Sequence, residues 1–502
     1  MSHAPVAPDD AHNRRLVAAV HPADWLAPTP APRYNLVVIG GGPAGLVAAL
    51  GAIGLGARVA LVERHLLGGD CLNFGCVPSK ALLQSARAVR RLRDAAALGV
   101  HLDGTVRVDF GAVMERMRAV RADLAHHDSA ARLADAGIDV FLGDGHFLGP
   151  DTVGVGEHRL RFARALIATG ARAARPPIPG LDQVDVLTNE TIFELTELPQ
   201  RLVVIGAGPI GAELAQAFAL LGSTVTLVDR GARVLPREEP EASALVQDAL
   251  IADGVELLLD AQIEGLTLAN GQKRVAVRVS GAVRHVDCDA VLLAAGRQPN
   301  VEGLDLETAG VAFTARGVQV NDHLQTTQPN IYACGDVASA FQFTHAADFQ
   351  ARIVLQNALF FGRKRVSSLV IPWVTYTSPE VAHVGMSTEA AQARADLTPF
   401  TVPLADVDRA RADGDIVGYA RVFADKRGRI HSATIVTEDA GELLAELTLA
   451  MTHGLSLGAI ASTLHPYPTR SELLFKVASA YNRTRLPARV LGWFKRLLAW
   501  RR

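Results

Sequence analysis

Residues 34–64, YNLVVIGGGPAGLVAALGAIGLGARVALVER, join an apolar strand-like run, a glycine-rich turn, a helix of small residues and a second apolar run. The turn has the spacing Gly-x-Gly-x-x-Gly, and the second run ends in an acidic residue. Glycines permit close approach of the backbone to a pyrophosphate, the helix N-terminus supplies amide donors, and the terminal carboxylate is suited to a ribose. The stretch therefore predicts a Rossmann-like dinucleotide-binding unit that uses Gly40, Gly42, Gly45 and Glu63.

The same arrangement returns at residues 201–230, RLVVIGAGPIGAELAQAFALLGSTVTLVDR. The first glycine and the acidic residue are 23 positions apart in both copies. Two units with matched spacing predict two bound dinucleotides and electron transfer between them. The acidic residue favours NADH over NADPH because a carboxylate repels a 2'-phosphate, whereas Arg230 and Arg233 offer the opposite charge. The predicted binding residues are Gly206, Gly208, Gly211 and Asp229.

A cysteine pair follows the first unit in GGDCLNFGCVPSK, residues 68–80. Cys71 and Cys76 are five positions apart, so on a regular helix their side chains diverge and a disulfide needs a local distortion, which Gly75 and Pro78 can provide. A helix N-terminus also lowers the pKa of a thiol. The segment therefore predicts a redox-active pair. Cys288 and Cys334 lack such a context and are expected to be buried and inert.

These motifs, with IATG at 167–170, AAGRQPN at 294–300, IYACGD at 331–336 and PTRSE at 468–472, resemble those of the flavin-dependent pyridine nucleotide-disulfide oxidoreductases. That family includes dihydrolipoamide dehydrogenase, glutathione reductase and mercuric reductase, and the likeness covers residues 34 to about 485. It implies FAD at the first turn, NADH or NADPH at the second, and a homodimer with shared active sites. It further implies hydride transfer from nicotinamide through flavin to the cysteine pair and on to a small acceptor.

The resemblance also implies roles for individual residues. Cys76 would face the flavin, Cys71 would exchange with the acceptor, and Lys80 would pair with Glu213 near the flavin. Residues 342–345 would lie along the flavin and Asp336 near its ribityl chain. The remaining positions that the resemblance assigns to cofactor binding are Gly69, Lys80, Thr169, Gly170, Gly296, Thr344 and His345.

The chain departs from the thiol-disulfide members at the position of their general base. Pro468, Thr469 and Glu472 match the pattern, but Tyr467 replaces the histidine, and a phenol with a pKa near 10 is a poor proton acceptor at pH 7. Tyrosine there resembles mercuric reductase, although no cysteine follows Cys334 to hand on a metal ion. We therefore expect a mercuric-reductase-like branch without a resident metal, and disfavour dihydrolipoamide dehydrogenase.

Two further residues near these motifs are unusual. His465 could replace the missing base only if its loop is shifted, so a solvated turn histidine is the preferred interpretation. Asp70 stands where relatives commonly have threonine. A carboxylate beside Cys71 is expected to raise the pKa of that thiol.

Bulk composition excludes several classes of protein. The 502 residues have a net charge of −2, which gives no general reason to bind nucleic acid. Four cysteines in so long a chain are not a secreted disulfide framework, so a reducing cytoplasm is expected. Neither a signal peptide nor a membrane-spanning segment is predicted.

The predicted class is α/β, with two Rossmann-like domains and a C-terminal αβ dimerisation domain. The expected boundaries are an extended N-terminal arm at 1–33, an FAD-binding domain at 34–186 and 299–366, an NAD(P)-binding domain at 187–298, a dimerisation domain at 367–486 and a basic amphipathic tail at 487–502. In that tail, apolar and aromatic side chains share one arc of a helix and most basic ones lie opposite. Such a helix can lie on an anionic membrane, which would make the protein a membrane-surface electron-transfer module, or dock on a neighbouring domain or subunit.

Overall fold

The computed structural model describes residues 6–269, 271–485 and 488–502, which fall into two compact units. Unit 1 comprises residues 1–89, 106–230 and 256–369, and unit 2 comprises residues 90–105, 231–255 and 370–502. The α-helices are α1 (Ala11–Val20), α2 (Pro43–Gly54), α3 (Gly69–Asn73), α4 (Cys76–Asp94), α5 (Phe110–Leu124), α6 (Ala130–Asp135), α7 (Pro209–Leu221), α8 (Pro240–Ala252), α9 (Thr344–Leu359), α10 (Thr388–Gln392), α11 (Asp408–Asp413), α12 (Ala440–Thr452), α13 (Leu457–Ser462), α14 (Glu472–Thr484) and α15 (Ala488–Trp500).

The β-strands complete the α/β class predicted from the sequence. They are β1 (Tyr34–Ile39), β2 (Val59–Glu63), β3 (Asp139–Leu142), β4 (Gly145–Gly149), β5 (Thr152–Val155), β6 (His158–Ile167), β7 (Ala171–Ala173), β8 (Arg201–Ile205), β9 (Thr224–Val228), β10 (Val255–Leu258), β11 (Gln262–Ala269), β12 (Gln272–Val279), β13 (Ala282–Cys288), β14 (Ala290–Leu293), β15 (Arg297–Pro299), β16 (Phe313–Thr314), β17 (Gly317–Val318), β18 (Ile331–Ala333), β19 (Pro372–Thr375), β20 (Glu380–Gly385), β21 (Thr398–Pro403), β22 (Tyr419–Ala424) and β23 (Ile430–Thr437).

The first sheet of unit 1 has the order β3-β2-β1-β6-β5-β4, with β18 beside β6. Strands β3, β2, β1, β6 and β18 run parallel. Most of their residues are buried, because α2 and α9 cover one side and an apolar cluster that includes Phe147 and Leu306 packs on the other. Parallel strands place their carboxyl ends at one edge, so the turn after β1, the end of β6 and the end of β18 meet there. That edge carries most of the residues predicted to hold the first dinucleotide.

The second parallel sheet of unit 1 has the order β10-β9-β8-β14 and contains the second glycine-rich turn, between β8 and α7. The same unit contains an antiparallel sheet of three strands, β11-β12-β13. Both parallel sheets belong to one compact unit, so the predicted division at residues 186 and 298 stays a prediction.

Part of the N-terminal arm is helical, which corrects the expectation of an extended arm for residues 11–20. Residues 1–5 lie outside the described part of the chain. Residues 11–20 form α1, capped by the Asp10 side chain, and Leu16 and Val20 are fully buried in the core of unit 1. The Trp25 indole donates a hydrogen bond to the Val140 carbonyl in β3. Proline, alanine and aspartate around α1 hide its short apolar stripe in a composition typical of a linker.

Unit 2 is built on the antiparallel sheet β19-β20-β23-β22-β21, with α12, α13 and α14 packed into its core. Helix α8 also belongs to this unit, although the sequence assigns it to the nucleotide-binding domain. Helix α15 keeps Trp493 and Trp500 59% and 81% exposed. In the described residues no helix has the length and hydropathy needed to cross a membrane.

Candidate functional site

The two glycine-rich turns are tight at their first and third glycines and open at the second. A Cβ on Gly40, whose φ is +108°, would lie 2.3 Å from the Ala168 carbonyl oxygen, and one on Gly45 would lie 1.8 Å from the Gly40 carbonyl oxygen. At Gly42 the nearest atom to an added Cβ, Gly69 Cα, is 3.7 Å away, so a side chain would fill the space in front of the α2 N-terminus. The turn fits the pyrophosphate of FAD.

The second turn repeats this geometry at equivalent positions. An added Cβ would lie 2.4 Å from the Ala294 carbonyl oxygen at Gly206 and 1.8 Å from the Gly206 carbonyl oxygen at Gly211, whereas Gly208 faces open space. The N-terminus of α7 is therefore free to receive a second pyrophosphate, as a nicotinamide dinucleotide requires.

The acidic residue that ends β2 and the one that directly follows β9 stabilise these turns. Glu63 Oε2 accepts a hydrogen bond from the Gly41 amide at 2.6 Å, and its Oε1 accepts one from the His65 amide at 2.7 Å. Asp229 Oδ2 accepts one from the Ala207 amide at 2.6 Å. Each carboxylate oxygen has a second lone pair, so both can still accept from a ribose.

The cysteine pair lies where α3 stops and α4 starts, which is the distortion that its spacing requires. Helix α3 ends at Asn73, and Cys76 is the first residue of α4. A Cβ on Gly75 would lie 3.0 Å from the Asp70 carbonyl oxygen, so a side chain at the break would be tight against α3. A Cβ on Gly69 would lie 2.6 Å from Gly42 Cα, so α3 begins in direct contact with the first glycine-rich turn.

No disulfide joins the two cysteines in this structure, and their thiols differ in acidity. A hydrogen bond between them and burial raise the pKa of Cys71. The same hydrogen bond, helped by Thr344 and the Lys80 ammonium, lowers the pKa of Cys76 to about 6 against the effect of burial. Thr344 Oγ1 is 3.4 Å from Cys76 Sγ and is the first residue of α9, so a second helix N-terminus faces this sulfur. Cys76 is therefore the thiolate of the pair at neutral pH.

The expected ion pair joins the two halves of unit 1. Lys80 Nζ on α4 lies 2.8 Å from Glu213 Oε2 on α7, and the Glu213 side chain is only 7% exposed. A buried carboxylate needs such a partner, and the pair fixes the ammonium one helical turn beyond Cys76.

Asp70 is part of a network that sequence reasoning missed. Its Oδ1 accepts a hydrogen bond from Asn189 Nδ2 at 2.9 Å, and its Oδ2 lies 3.2 Å from Arg297 Nη2. Arg297 Nε also lies 3.5 Å from Asp336 Oδ2, and burial raises the pKa of Asp336 to about 6. The only signal for Arg297 is its place directly after Gly296 in AAGRQPN, and Asn189 gives no signal.

The other predicted cofactor residues occupy the turns around this network. Thr169 Oγ1 donates to the Asn300 main-chain carbonyl at 2.7 Å, and the Asn300 side-chain Nδ2 donates to the Thr169 carbonyl at 2.9 Å. Gly170 and Gly296 have φ values of +69° and +111°, with space around both. His345 stacks on Phe343 with ring centroids 5.5 Å apart. Cys288 and Cys334 are buried, and burial raises their pKa values to about 11 and about 12, as expected of inert thiols.

In unit 2, the Tyr467 hydroxyl donates to Asp408 Oδ2 at 3.0 Å, and this bond raises the pKa of the phenol. Glu472 does not pair with Tyr467; its Oε1 lies 3.0 Å from Lys476 Nζ. The preferred interpretation of His465 as a solvated histidine is wrong. Its side chain is 10% exposed and lies 3.1 Å from Glu446 Oε1, because the loop folds back onto α12.

Comparisons with known proteins agree with this geometry. Residues 34–351 match the family described as pyridine nucleotide-disulphide oxidoreductase, and residues 371–478 match its dimerisation domain. A mercuric reductase from Bacillus cereus is 35% identical over 442 residues, which cover 88% of this chain and 70% of that protein. A dihydrolipoyl dehydrogenase from Bacillus subtilis strain 168 is 33% identical over 88% of this chain and 95% of its own length.

A solved structure of a Cu(II) complex of the HOCl-induced flavoprotein disulfide reductase RclA from Escherichia coli is similar throughout. It matches with a TM-score of 0.78 and 31% identity, covering 88% of this chain and 98% of that one.

The geometry of the site agrees with these comparisons. It contains two glycine-rich turns and a thiol pair at the start of a helix, and two family models match the chain. The chain belongs to the FAD-dependent pyridine nucleotide-disulphide oxidoreductases and binds FAD and a pyridine nucleotide.

Proposed function

We propose that this oxidoreductase reduces a thiophilic metal ion, such as Hg(II) or Cu(II), with electrons from NADH. One hydride carries two electrons, so one NADH reduces one Hg(II) to Hg(0) or two Cu(II) to two Cu(I), releasing NAD⁺ and one proton. FAD, held at the α2 N-terminus and Glu63, would supply the two-electron chemistry that links the nicotinamide to the Cys71–Cys76 pair. Thiolate sulfur is the protein ligand that such soft ions prefer.

The observation that carries the proposal is the combination of an acidic thiol with a tyrosine at the base position. Reduction of a disulfide substrate needs a group that moves a proton to and from the exchanging thiols. The Tyr467 hydroxyl already donates its proton to Asp408, and that bond raises the pKa of the phenol. A metal ion needs no such base, because it binds the thiolate directly and its reduction transfers no proton to it.

Two comparisons support a metal ion as acceptor. The relatives include mercuric reductases at 34–35% identity, and the structural neighbour was solved as a Cu(II) complex. Dihydrolipoyl dehydrogenase relatives at 33% identity favour lipoamide as the alternative acceptor. Tyr467 argues against that alternative.

Some residues of the chain would bind the two dinucleotides, and others would keep the redox-active thiol ionised and in position. The α2 N-terminus and Glu63 would hold FAD, and the α7 N-terminus and Asp229 would hold the nucleotide. NADH is favoured because Asp229 repels a 2'-phosphate, while Arg233 Nη2 is already bonded to the Pro236 and Glu238 carbonyls at 3.0 and 3.2 Å. Lys80 and Thr344 would keep Cys76 ionised beside the flavin.

The dimerisation domain supports a homodimer. In the proposed assembly, Tyr467 and Glu472 face Cys71 of the partner subunit, so each active site uses both chains. Sedimentation of the purified protein tests the dimer; a monomer at micromolar concentration would contradict the shared site.

The test of acceptor class is a panel of Hg(II), Cu(II), lipoamide, glutathione disulfide, quinone and oxygen, assayed with NADH and with NADPH. We expect metal-ion reduction in the wild type and its loss in Cys71→Ser, with little turnover of either disulfide. Tyr467→His is the matched variant, and it should gain lipoamide activity. The proposal is refuted if the wild type turns over lipoamide as fast as it reduces the metal ions. It is also refuted if Cys71→Ser keeps full activity with every acceptor.

We further propose a cytoplasmic enzyme that contacts anionic membranes through α15. Residues 473–502 contain eight Lys and Arg and no Asp or Glu, whereas the whole chain has a net charge of −2. Exposed Trp493, Leu498 and Trp500 supply the apolar and aromatic surface that inserts at a lipid interface. An anionic lipid surface complements both features.

Vesicle co-sedimentation tests this contact. The full chain should pellet with vesicles that contain phosphatidylglycerol and stay in solution with pure phosphatidylcholine. A variant ending at Leu486 should stay in solution with both. Equal recovery of the two proteins with anionic vesicles would end the membrane proposal, and it would leave the acceptor proposal untouched.

A further inference from the structure

We propose that the N-terminal helix α1 positions the redox pair, acting through a buried relay from Asn13 through Arg121 to Asn73. Arg121 Nη2 on α5 donates to Asn13 Oδ1 at 2.6 Å, and its Nη1 donates to the Asn73 main-chain carbonyl at 2.8 Å. Asn73 is the last residue of α3, the helix that carries Cys71. The relay thus connects a segment preceding the first nucleotide-binding unit to the redox helix.

The relay is buried along its whole length. Asn13, Asn73 and Arg121 are 2%, 0% and 2% exposed. Burial lowers the pKa of Arg121 to about 10, with a further contribution from the nearby charge of Arg118. Burying a guanidinium costs desolvation free energy, which a methionine of similar size would not incur. We infer that the arginine serves to make the hydrogen bonds to α1 and α3.

Helix α3 has only five residues, so contacts from outside the helix are needed to fix its position. One turn of helix is unstable by itself, and the carbonyls at its end have no helical partner. Asn73 closes the turn from within, since its Nδ2 donates to the carbonyls of Leu67 and Gly69 at 3.1 and 2.9 Å. Arg121 then ties the end of that turn to the body of unit 1.

A second contact fixes α1 itself. Asp10 Oδ2 lies 2.5 Å from Arg118 Nε, and Asp10 Oδ1 caps α1 by accepting from the Asn13 amide at 2.8 Å. Arg118 and Arg121 lie on neighbouring positions of one face of α5. Asn13 therefore reaches Arg121 only when α1 is docked in this register.

The consequence concerns the equilibrium between the dithiol and the disulfide. Reduction by two glutathione molecules gives the Cys71–Cys76 dithiol and one glutathione disulfide, and its equilibrium constant depends on how closely the two sulfurs are held. With the relay intact, α3 keeps Cys71 against Cys76, which favours the disulfide through a high effective concentration. Without the relay, the end of α3 is free to move and the disulfide is easier to reduce.

The experiment measures this equilibrium constant in the FAD-loaded full chain, using glutathione buffers, acid quenching, thiol alkylation and mass spectrometry. The variants are Asn13→Ala, Arg121→Met and the double variant. The matched control is Arg15→Ala, which removes an exposed ion pair between the same two helices, Arg15 to Asp123. Flavin content and thermal unfolding show which variants are folded.

We expect each single variant to shift the equilibrium about fivefold toward the dithiol, which corresponds to about 20 mV for a two-electron couple. The double variant should shift it no further, because both substitutions break one relay, and Arg15→Ala should match the wild type. Folded single variants with wild-type equilibrium constants would overturn the proposal. Additive shifts in the double variant would also overturn it, because the two residues would then act separately.

Discussion

The Asp70 carboxylate, directly before Cys71, lies 3.2 Å from Nη2 of Arg297, and the same guanidinium lies 3.5 Å from Asp336 through its Nε. One arginine, whose side chain is 12% exposed, thus serves two carboxylates, one on α3 and one just after β18. The fixed charge of Asp70 is thereby held near both sulfurs, where it raises the pKa of each. The network makes this charge a determinant of thiol acidity.

Removing that charge should make Cys76 more acidic. We expect Asp70→Asn to shift the pH midpoint of Cys76 alkylation below the wild-type pKa of about 6. The asparagine keeps an oxygen to accept from Asn189, so the fold should be retained. The measurement is the rate of iodoacetamide labelling against pH, and an upward or absent shift would contradict the electrostatic role of Asp70.

Lys80 should act in the opposite direction. We expect Lys80→Met to raise the pKa of Cys76, so that less thiolate is present between pH 6 and 7. Loss of the partner of Glu213 should also destabilise the fold by about 1–3 kcal/mol, less than for a fully buried pair because the Lys80 side chain is 37% exposed. Ultraviolet thiolate absorbance against pH measures the first effect and urea unfolding the second. Lys273→Met, which removes a lysine from the Asp185 carbonyl, is the control and should leave both unchanged.

The first glycine-rich turn gives a prediction about FAD retention. Gly45→Ala places a methyl group 1.8 Å from the Gly40 carbonyl oxygen, so the turn must open and FAD affinity should fall about tenfold or more. Gly54→Ala in the same helix meets no atom within 4 Å and should keep FAD while gaining a little helix stability. The flavin-to-protein absorbance ratio after gel filtration decides between them, and equal flavin content would refute the steric account.

Unit 2 should lose stability as the pH falls. Burial lowers the pKa of His383 to about 4, and its ring nitrogens bond Thr434 Oγ1 and the Met386 carbonyl at 2.9 and 3.0 Å. Between that pKa and about 6.5 the unfolded chain binds the proton and the folded chain does not, so stability rises with pH through this window. It should be about 2 kcal/mol lower at pH 5 than at pH 7 from this residue alone. Urea unfolding of wild type and His383→Gln at the two pH values tests this, and an unchanged pH dependence in the variant would contradict it.

Local sequence patterns predicted the features that depend on local geometry. The two glycine-rich turns and the broken helix at the cysteines follow from steric needs that a short motif records. The Lys80–Glu213 pair followed from the resemblance to the family, since 133 residues separate its members in the chain.

The patterns missed what depends on distant partners. Asn189, Arg121 and Asn13 are ordinary polar residues whose importance comes only from burial beside the redox helix. Helix α1 was mistaken for an extended arm because only a few of its side chains reach the core. His465 was mistaken for a solvated residue because its partner, Glu446, comes from another helix.

The burial of Cys288 and Cys334 has a practical consequence. A colorimetric thiol reagent applied to the native, fully reduced protein should count two fast sulfhydryls per chain, and none after oxidation. The enzyme can also be captured from a cell extract by affinity and its fast sulfhydryls counted in the same way. The count would give the fractions of enzyme in the dithiol and disulfide states without an engineered label. Because the two buried cysteines do not react, the sulfhydryl count of the native chain reports directly on the redox state of the Cys71–Cys76 pair.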